Sequence, residues 1–190
     1  MGFGLHVGWA IEGAIGSRFK IDDTYLSPHV EMSDRLEAGS KIFGVPIQLS
    51  QWFVSLLTTG AKNYLRKLDR VKVSGCPCPM TIYTFDVENM VRDFGEPKFD
   101  EYGQQMAVDF EGDPSYKQLQ DGIPKEFLPK YNQGVKAYFQ GDWTEAKDKL
   151  DAAMMLKPGD GPATSICEFM RKHNFKAPAD WKGYRTLQNF

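Results

Sequence analysis

The stretch Asp23-Thr24-Tyr25-Leu26-Ser27-Pro28-His29-Val30-Glu31-Met32-Ser33-Asp34-Arg35-Leu36-Glu37 decides how the first half of the chain folds. Residues 20–26 read as a strand, and Ser27-Pro28 opens a helix directly behind it. A serine at the N-cap accepts a backbone N–H that the first helical turn leaves unpaired. Proline suits the next position, because its missing N–H would be unbonded there and its φ is already helical. Val30, Leu36 and Ile42 supply apolar positions, and Gly44 can take the left-handed conformation that stops a helix.

Working outward, residues 3–9 read as a strand, with Gly13 and Gly16 punctuating the turn before residues 20–26. Residues 45–50 form a short strand, 51–59 a short helix and 63–74 a strand with partial alternation. Residues 80–87 return as its hairpin partner across Gly75-Cys76-Pro77-Cys78-Pro79. Between residues 95 and 129 Gly, Pro, Asp and Gln with weak periodicity mark a linker. Two amphipathic helices follow, 131–140 and 143–156, separated by Gly141-Asp142 and ended by Lys157-Pro158-Gly159. A helix over 162–173 caps them, and the polar tail 177–185, with Trp181 and Tyr184, docks as an extended segment.

Gly4-Leu5-His6-Val7-Gly8, Gly13-Ala14-Ile15-Gly16-Ser17, the strand bearing Thr24 and the helix Val30-Glu31-Met32-Ser33-Asp34-Arg35 resemble the back half of a class III nucleotidyl (adenylate/guanylate) cyclase catalytic domain. Lys72-Val73-Ser74-Gly75 is similar to that family's Lys-Val-x-Gly turn. The resemblance covers residues 2–87 and implies an α+β fold: the second half of a cyclase-type, ferredoxin-like domain with a mixed or antiparallel sheet. Gly134, Gly141, Trp143, Ala146, Leu150, Ala153 and Pro158 are similar to the small, aromatic and terminal positions of one tetratricopeptide-type helix pair. The expected organisation is a cyclase-like half-domain over 1–87, a linker over 88–129, a helical hairpin with its capping helix over 130–175, and an extended tail over 176–190. One such repeat cannot bury its own faces, so the hairpin is expected to make its main apolar contacts outside itself.

Class III cyclases close a ribose 3′-oxygen onto the α-phosphate of a nucleoside triphosphate, using two metal ions held by two aspartates. The resemblance implies that Arg35 is the transition-state arginine, whose guanidinium can contact phosphate oxygens in a bidentate manner. On the residues alone, Arg35 is a surface arginine paired with Asp34 or Glu37. Glu31 stands where the family has an asparagine that orients the ribose. An ionised glutamate only accepts hydrogen bonds, and it lies four residues before Arg35, on the same helix face. An acid in the first turn is also favourable against the helix dipole. Thr24 occupies the position where the family reads the purine edge; its hydroxyl is compatible with adenine, and threonine is equally a good strand residue. His6 matches a structural position of the family, while His29 and His173 have no partner pattern. The family's metal-binding aspartates and base-selecting lysine precede the matched segment, and no Phe-x-Asp-Ile-like strand occurs in residues 1–190.

Three functional readings stay open: a cyclase-homology subunit that is inactive as this chain and serves as a structural or interaction component of a larger assembly; a C-terminal fragment of an active adenylate cyclase converting ATP to cyclic AMP and diphosphate; and a module that senses ATP through Thr24 and Arg35. No cofactor is expected in this chain, with Mg or Mn entering only alongside the missing half. The expected partner is a protein, or the upstream half, that completes the sheet, with ATP as a ligand. A net charge of -2, and a basic run (Lys62, Arg66, Lys67, Arg70, Lys72) that reads as a solvated face, argue against nucleic acid. Three cysteines are too few for a disulfide framework and suit a reducing compartment; Cys76-Pro77-Cys78 reads as a turn rather than a zinc site. The apolar windows fall short of the roughly 20 residues of a membrane span. A cytoplasmic location is expected, with the cytosolic side of a membrane cyclase and a ciliary assembly both allowed.

Overall fold

The computed structural model describes residues 2–73, 76, 78–88, 99–104, 106 and 118–187. Its first elements are β1 (Phe3–Leu5), β2 (Ile11–Gly16), β3 (Ile21–Leu26) and α1 (Pro28–Phe43). The helix is capped as its residues dictate: Ser27 Oγ accepts the His29 N–H at 2.9 Å, and Gly44 ends it at φ 63°. The strand expected over 3–9 stops at Leu5, and the residues read as a turn form β2 instead. β2 and β3 pair antiparallel, with Gly13 opposite Thr24 and Gly16 opposite Ile21. The reversal falls at residues 17–20, where the Ser17 N–H bonds the Lys20 carbonyl at 2.8 Å. Gly16 is required for the close approach of the returning strand, since a Cβ there would lie 2.1 Å from the Lys20 carbonyl oxygen.

β4 (Ile47–Ser50) leads into α2 (Gln51–Leu56) and α3 (Thr59–Asn63), two helices where one was expected, because Leu57 adopts an extended conformation between them. β5 (Leu65–Val73) and β6 (Met80–Phe85) form the expected antiparallel pair. The turn joining them, including much of Lys72-Val73-Ser74-Gly75 and of Cys76-Pro77-Cys78, lies partly outside the described residues, as does most of the expected linker. The tail does more than dock: Arg185–Leu187 is a strand, β7, parallel to β5. The sheet runs β1-β4-β6-β5-β7, mixed in sense, and the architecture is α+β as the sequence implies. α1 crosses β1 and β4 closely, and Gly4 permits it, since a Cβ there would stand 2.1 Å from the Ser33 carbonyl oxygen. Leu36 and Phe43 of α1 pack with Leu68, Val71, Met80 and Ile82 beneath.

The alternation of β5 is broken by a bulge between Lys67 and Asp69. Before it Arg66 is buried, at it Leu68 is, and after it Asp69, Val71 and Val73 are. A bulge inserts one residue and so switches the parity of the inward face. This corrects the reading of the basic run: Lys62, Lys67, Arg70 and Lys72 are exposed, but Arg66 is 3% exposed.

The C-terminal region contains α4 (Phe127–Gln140), α5 (Trp143–Leu156) and α6 (Gly161–Lys172). α4 starts earlier than expected, at Phe127, which places Pro129 in its first turn, where no intrahelical N–H is lost. Gly134 lets α4 and α5 approach, since a Cβ there would lie 2.7 Å from Leu150 Cγ. Contrary to expectation, this hairpin does not look outside for its apolar partners. Tyr131, Tyr138, Trp143 and Leu150 are buried with Ile166 and Met170 of α6. The tail closes the remaining gap: Trp181 stands edge-on to Trp143 at 5.0 Å, and its Nε1–H donates to the Tyr138 carbonyl at 3.1 Å.

Two buried arginines join this helical core to the sheet. Arg66 on β5 donates from Nη1 to both Asp160 oxygens at 2.9 and 3.0 Å and from Nη2 to Asp86 at 2.6 Å. Its guanidinium lies over the Tyr131 ring at 4.6 Å, and Asp160 is also the N-cap of α6. Arg185 on β7 donates to Asp69 at 2.6 Å and to Ser165 Oγ at 2.9 Å. The C-terminus of α1 abuts the start of α6, where a Cβ on Gly161 would lie 2.1 Å from the Phe43 carbonyl oxygen.

Gln48, in β4, is fully buried, and neither its amide nitrogen nor its amide oxygen has a hydrogen-bond partner. Leaving both groups unpaired costs about 1–3 kcal/mol each, so Gln48→Met, close in volume, is expected to stabilise the protein. The urea midpoint should rise at unchanged m-value; a lower midpoint would show that the amide contributes bonds that methionine cannot replace.

Candidate functional site

The chain leaves β1 at Leu5, and the next side chain, His6, joins three elements. Its Nδ1 shares a 2.8 Å hydrogen bond with Ser50 Oγ at the end of β4, and its Nε2 shares one of 2.9 Å with His29 Nδ1 near the start of α1. Ser50 Oγ also accepts the Phe53 N–H, capping α2. The imidazoles stack at 5.1 Å, with Trp52 edge-on to His6 and Trp9 edge-on to His29. Gly8 lies flat against the His29 ring, where a Cβ would come within 2.1 Å. Ser27 adds a tie by donating to the Trp9 carbonyl at 2.6 Å.

This corner forms one wall of a cavity of about 540 Å³, completed by Met32, Trp52 and Leu56 and bordered by Glu31 and Arg35. Glu31 and Arg35 lie on one helix face, as their spacing requires, with Oε2 and Nη2 3.8 Å apart. At that distance the pair is an electrostatic contact rather than a hydrogen bond. Cys76 and Cys78 reach the same cavity, and the Cys76 thiol donates to the Cys78 carbonyl at 3.1 Å. Thr24 does not line it; it sits within the β2–β3 ribbon opposite Gly13. The structure thus gathers Glu31 and Arg35 with two histidines and leaves Thr24 apart.

His29 is the residue that sequence reasoning missed. Its partner lies 23 positions away, and only the packing of α1 across β1 brings the rings together. The close Gly4 and Gly8 contacts that allow this are the one trace in the sequence. His173 stands apart from the cavity, edge-on to Trp143 and tilted against Phe169. Among the described residues no three His, Cys, Asp or Glu side chains are grouped so as to hold a metal ion.

Over 84 residues, 44% of its length, the chain is 31% identical to the adenylate cyclase of Anabaena cylindrica. This likeness marks a cyclase-related region. The match spans 17% of that relative's length, and no family model matches the chain. Among the described residues no helix is long and apolar enough to cross a membrane.

Burial first, and then the neighbouring His29, hold the His6 imidazole below its ordinary value. The unfolded chain therefore binds a proton at His6 more readily than the folded one. The resulting stability is fully present above pH 6.5 and is lost as pH falls through the lower folded value. The melting temperature should drop between pH 7.5 and 5, and His6→Asn should flatten that dependence. An equal slope in wild type and variant would contradict this assignment.

Proposed function

We propose that this cyclase-related chain is catalytically inactive by itself and works as a structural or interaction component of a larger assembly. The observation that carries this reading is the bare β2–β3 ribbon. Ile11, Ile15, Ile21, Tyr25 and Leu26 are all exposed, and Phe19 at its tip is 98% exposed. An isolated two-stranded ribbon is marginal in water, and this much apolar surface favours cover by a partner. β1 offers a second opening: among the described residues it pairs with β4 alone, so its other edge can accept a strand from a protein partner or from an upstream half.

Inactivity is supported by the replacement at Glu31. A carboxylate there cannot donate to a ribose hydroxyl, it adds negative charge beside any triphosphate, and it occupies Arg35 from 3.8 Å. The second reading, a fragment of an active adenylate cyclase that acts on ATP with Mg or Mn, draws on the retained Arg35 at the cavity and on the likeness to the Anabaena cylindrica enzyme. In it, the upstream half would supply the metal-binding aspartates, and Thr24 would read the adenine.

The two readings separate in one experiment on native extract. The chain is expected to elute in gel filtration with a high-mass assembly and to leave it when Phe19 and Ile21 are both changed to Asp, with Tm unchanged. Complex-bearing fractions supplied with ATP and Mg or Mn should form no cyclic AMP dependent on Arg35. Unaltered elution of the double variant would contradict the interaction role, and cyclic AMP formation lost on Arg35→Ala would establish the enzyme reading.

A further inference from the structure

The cavity beside the two histidines has the size and chemistry of a small-molecule site, independently of whether the chain assembles with others. At about 540 Å³ it falls within the range of pockets that bind small organic ligands. Its body is apolar and aromatic, built from Val7, Met32, Trp52 and Leu56.

The hydrogen-bond order along its polar wall can be worked out. Ser50 is fully buried, and its Oγ already accepts the Phe53 N–H. The hydroxyl hydrogen needs an acceptor, and His6 Nδ1 at 2.8 Å is the one supplied. His6 therefore carries its proton on Nε2 and donates it to His29 Nδ1 at 2.9 Å. His29, with Nδ1 accepting, must carry its own proton on Nε2. No described residue accepts from that nitrogen, so a cavity-lining ring presents a fixed donor, and Gly8 leaves just enough room for it to lie there.

Charge narrows the ligand class. Glu31 and Arg35 cancel at the border, and the imidazole chain is neutral in the arrangement just derived. A polyphosphate would bring several negative charges to a wall with no net positive charge and a mostly apolar interior, and it would lose its hydration without compensation. A flat ring system fits the Trp52 side, and one acceptor satisfies His29.

We propose that this cavity binds a planar aromatic compound, no larger than a nucleoside and bearing at most one negative charge, whose acceptor atom takes the hydrogen bond from His29 Nε2.

The test uses 2-naphthoate and the full chain in isothermal titration calorimetry. One equivalent should bind, and inorganic tripolyphosphate should neither bind nor compete. Loss of a hydrogen bond to a charged acceptor corresponds to about tenfold or more in Kd, so His29→Ala and Gly8→Ala should each weaken binding by at least that factor under conditions where circular dichroism shows the variant folded. In wild type, the ¹⁵N resonance of His29 Nε2 should show a protonated nitrogen that shifts on titration, a readout that holds even where a variant fails to fold. Absence of naphthoate binding, unchanged affinity in folded His29→Ala, an unmoved Nε2 resonance, or displacement by tripolyphosphate would each overturn the proposal.

Discussion

The Arg66 guanidinium is the contact that fixes both the hairpin and the capping helix to the sheet. It reaches Asp86 just past β6 and Asp160 at the start of α6, and it lies over the Tyr131 ring of α4. One side chain thus touches the sheet, the hairpin and the capping helix. Taking such charges out of water costs several kcal/mol per ion, and their mutual attraction repays this only when the remaining bonds are well made. Burial pushes the Asp86 and Asp69 carboxyls upward while Arg66 and Arg185 pull them back. The clusters are better understood as fixing one arrangement of helices on sheet than as net sources of stability. An apolar contact could slide, whereas a bidentate arginine between two carboxylates cannot without leaving a buried charge alone.

Arg185 repeats the device from the other end of the chain. Its bonds to Asp69 and Ser165 draw the tail back across α6, and β7 then pairs with β5. The same return carries Trp181 onto the Tyr138–Trp143 pair, which is why the helical hairpin is covered from within.

How much of this was legible depended on whether the signal was local. Ser27, Pro28 and Gly44 act through neighbouring backbone groups, so α1 could be read to its ends, and the i, i+4 placement of Glu31 and Arg35 followed from helix geometry alone. The β2–β3 ribbon is not legible from its glycines, because Gly13 and Gly16 lie within the paired strand and Gly16 serves close strand approach rather than chain reversal. Arg66 was misread because a bulge two residues later changes which positions face inward, and no run of residue types announces a bulge. The tail strand and the His6–His29 contact were invisible for a different reason: each joins residues far apart in sequence, and nothing near either member implies the other. Within the candidate site, Glu31 and Arg35 could be named from the chain, whereas the histidine wall and the separation of Thr24 from the cavity required the fold.

The sheet and the C-terminal helices form one cooperative structure through Arg66. The most direct measurement is native-state hydrogen exchange on Arg66→Met, which removes the guanidinium that Asp86 and Asp160 bond while keeping an unbranched side chain there. Breaking a buried pair in this way costs about 3–5 kcal/mol. Amides of β5 and β6 and those of α4 and α6 should lose protection together by that amount. Loss confined to the helices, with the sheet as protected as in wild type, would contradict this cooperativity.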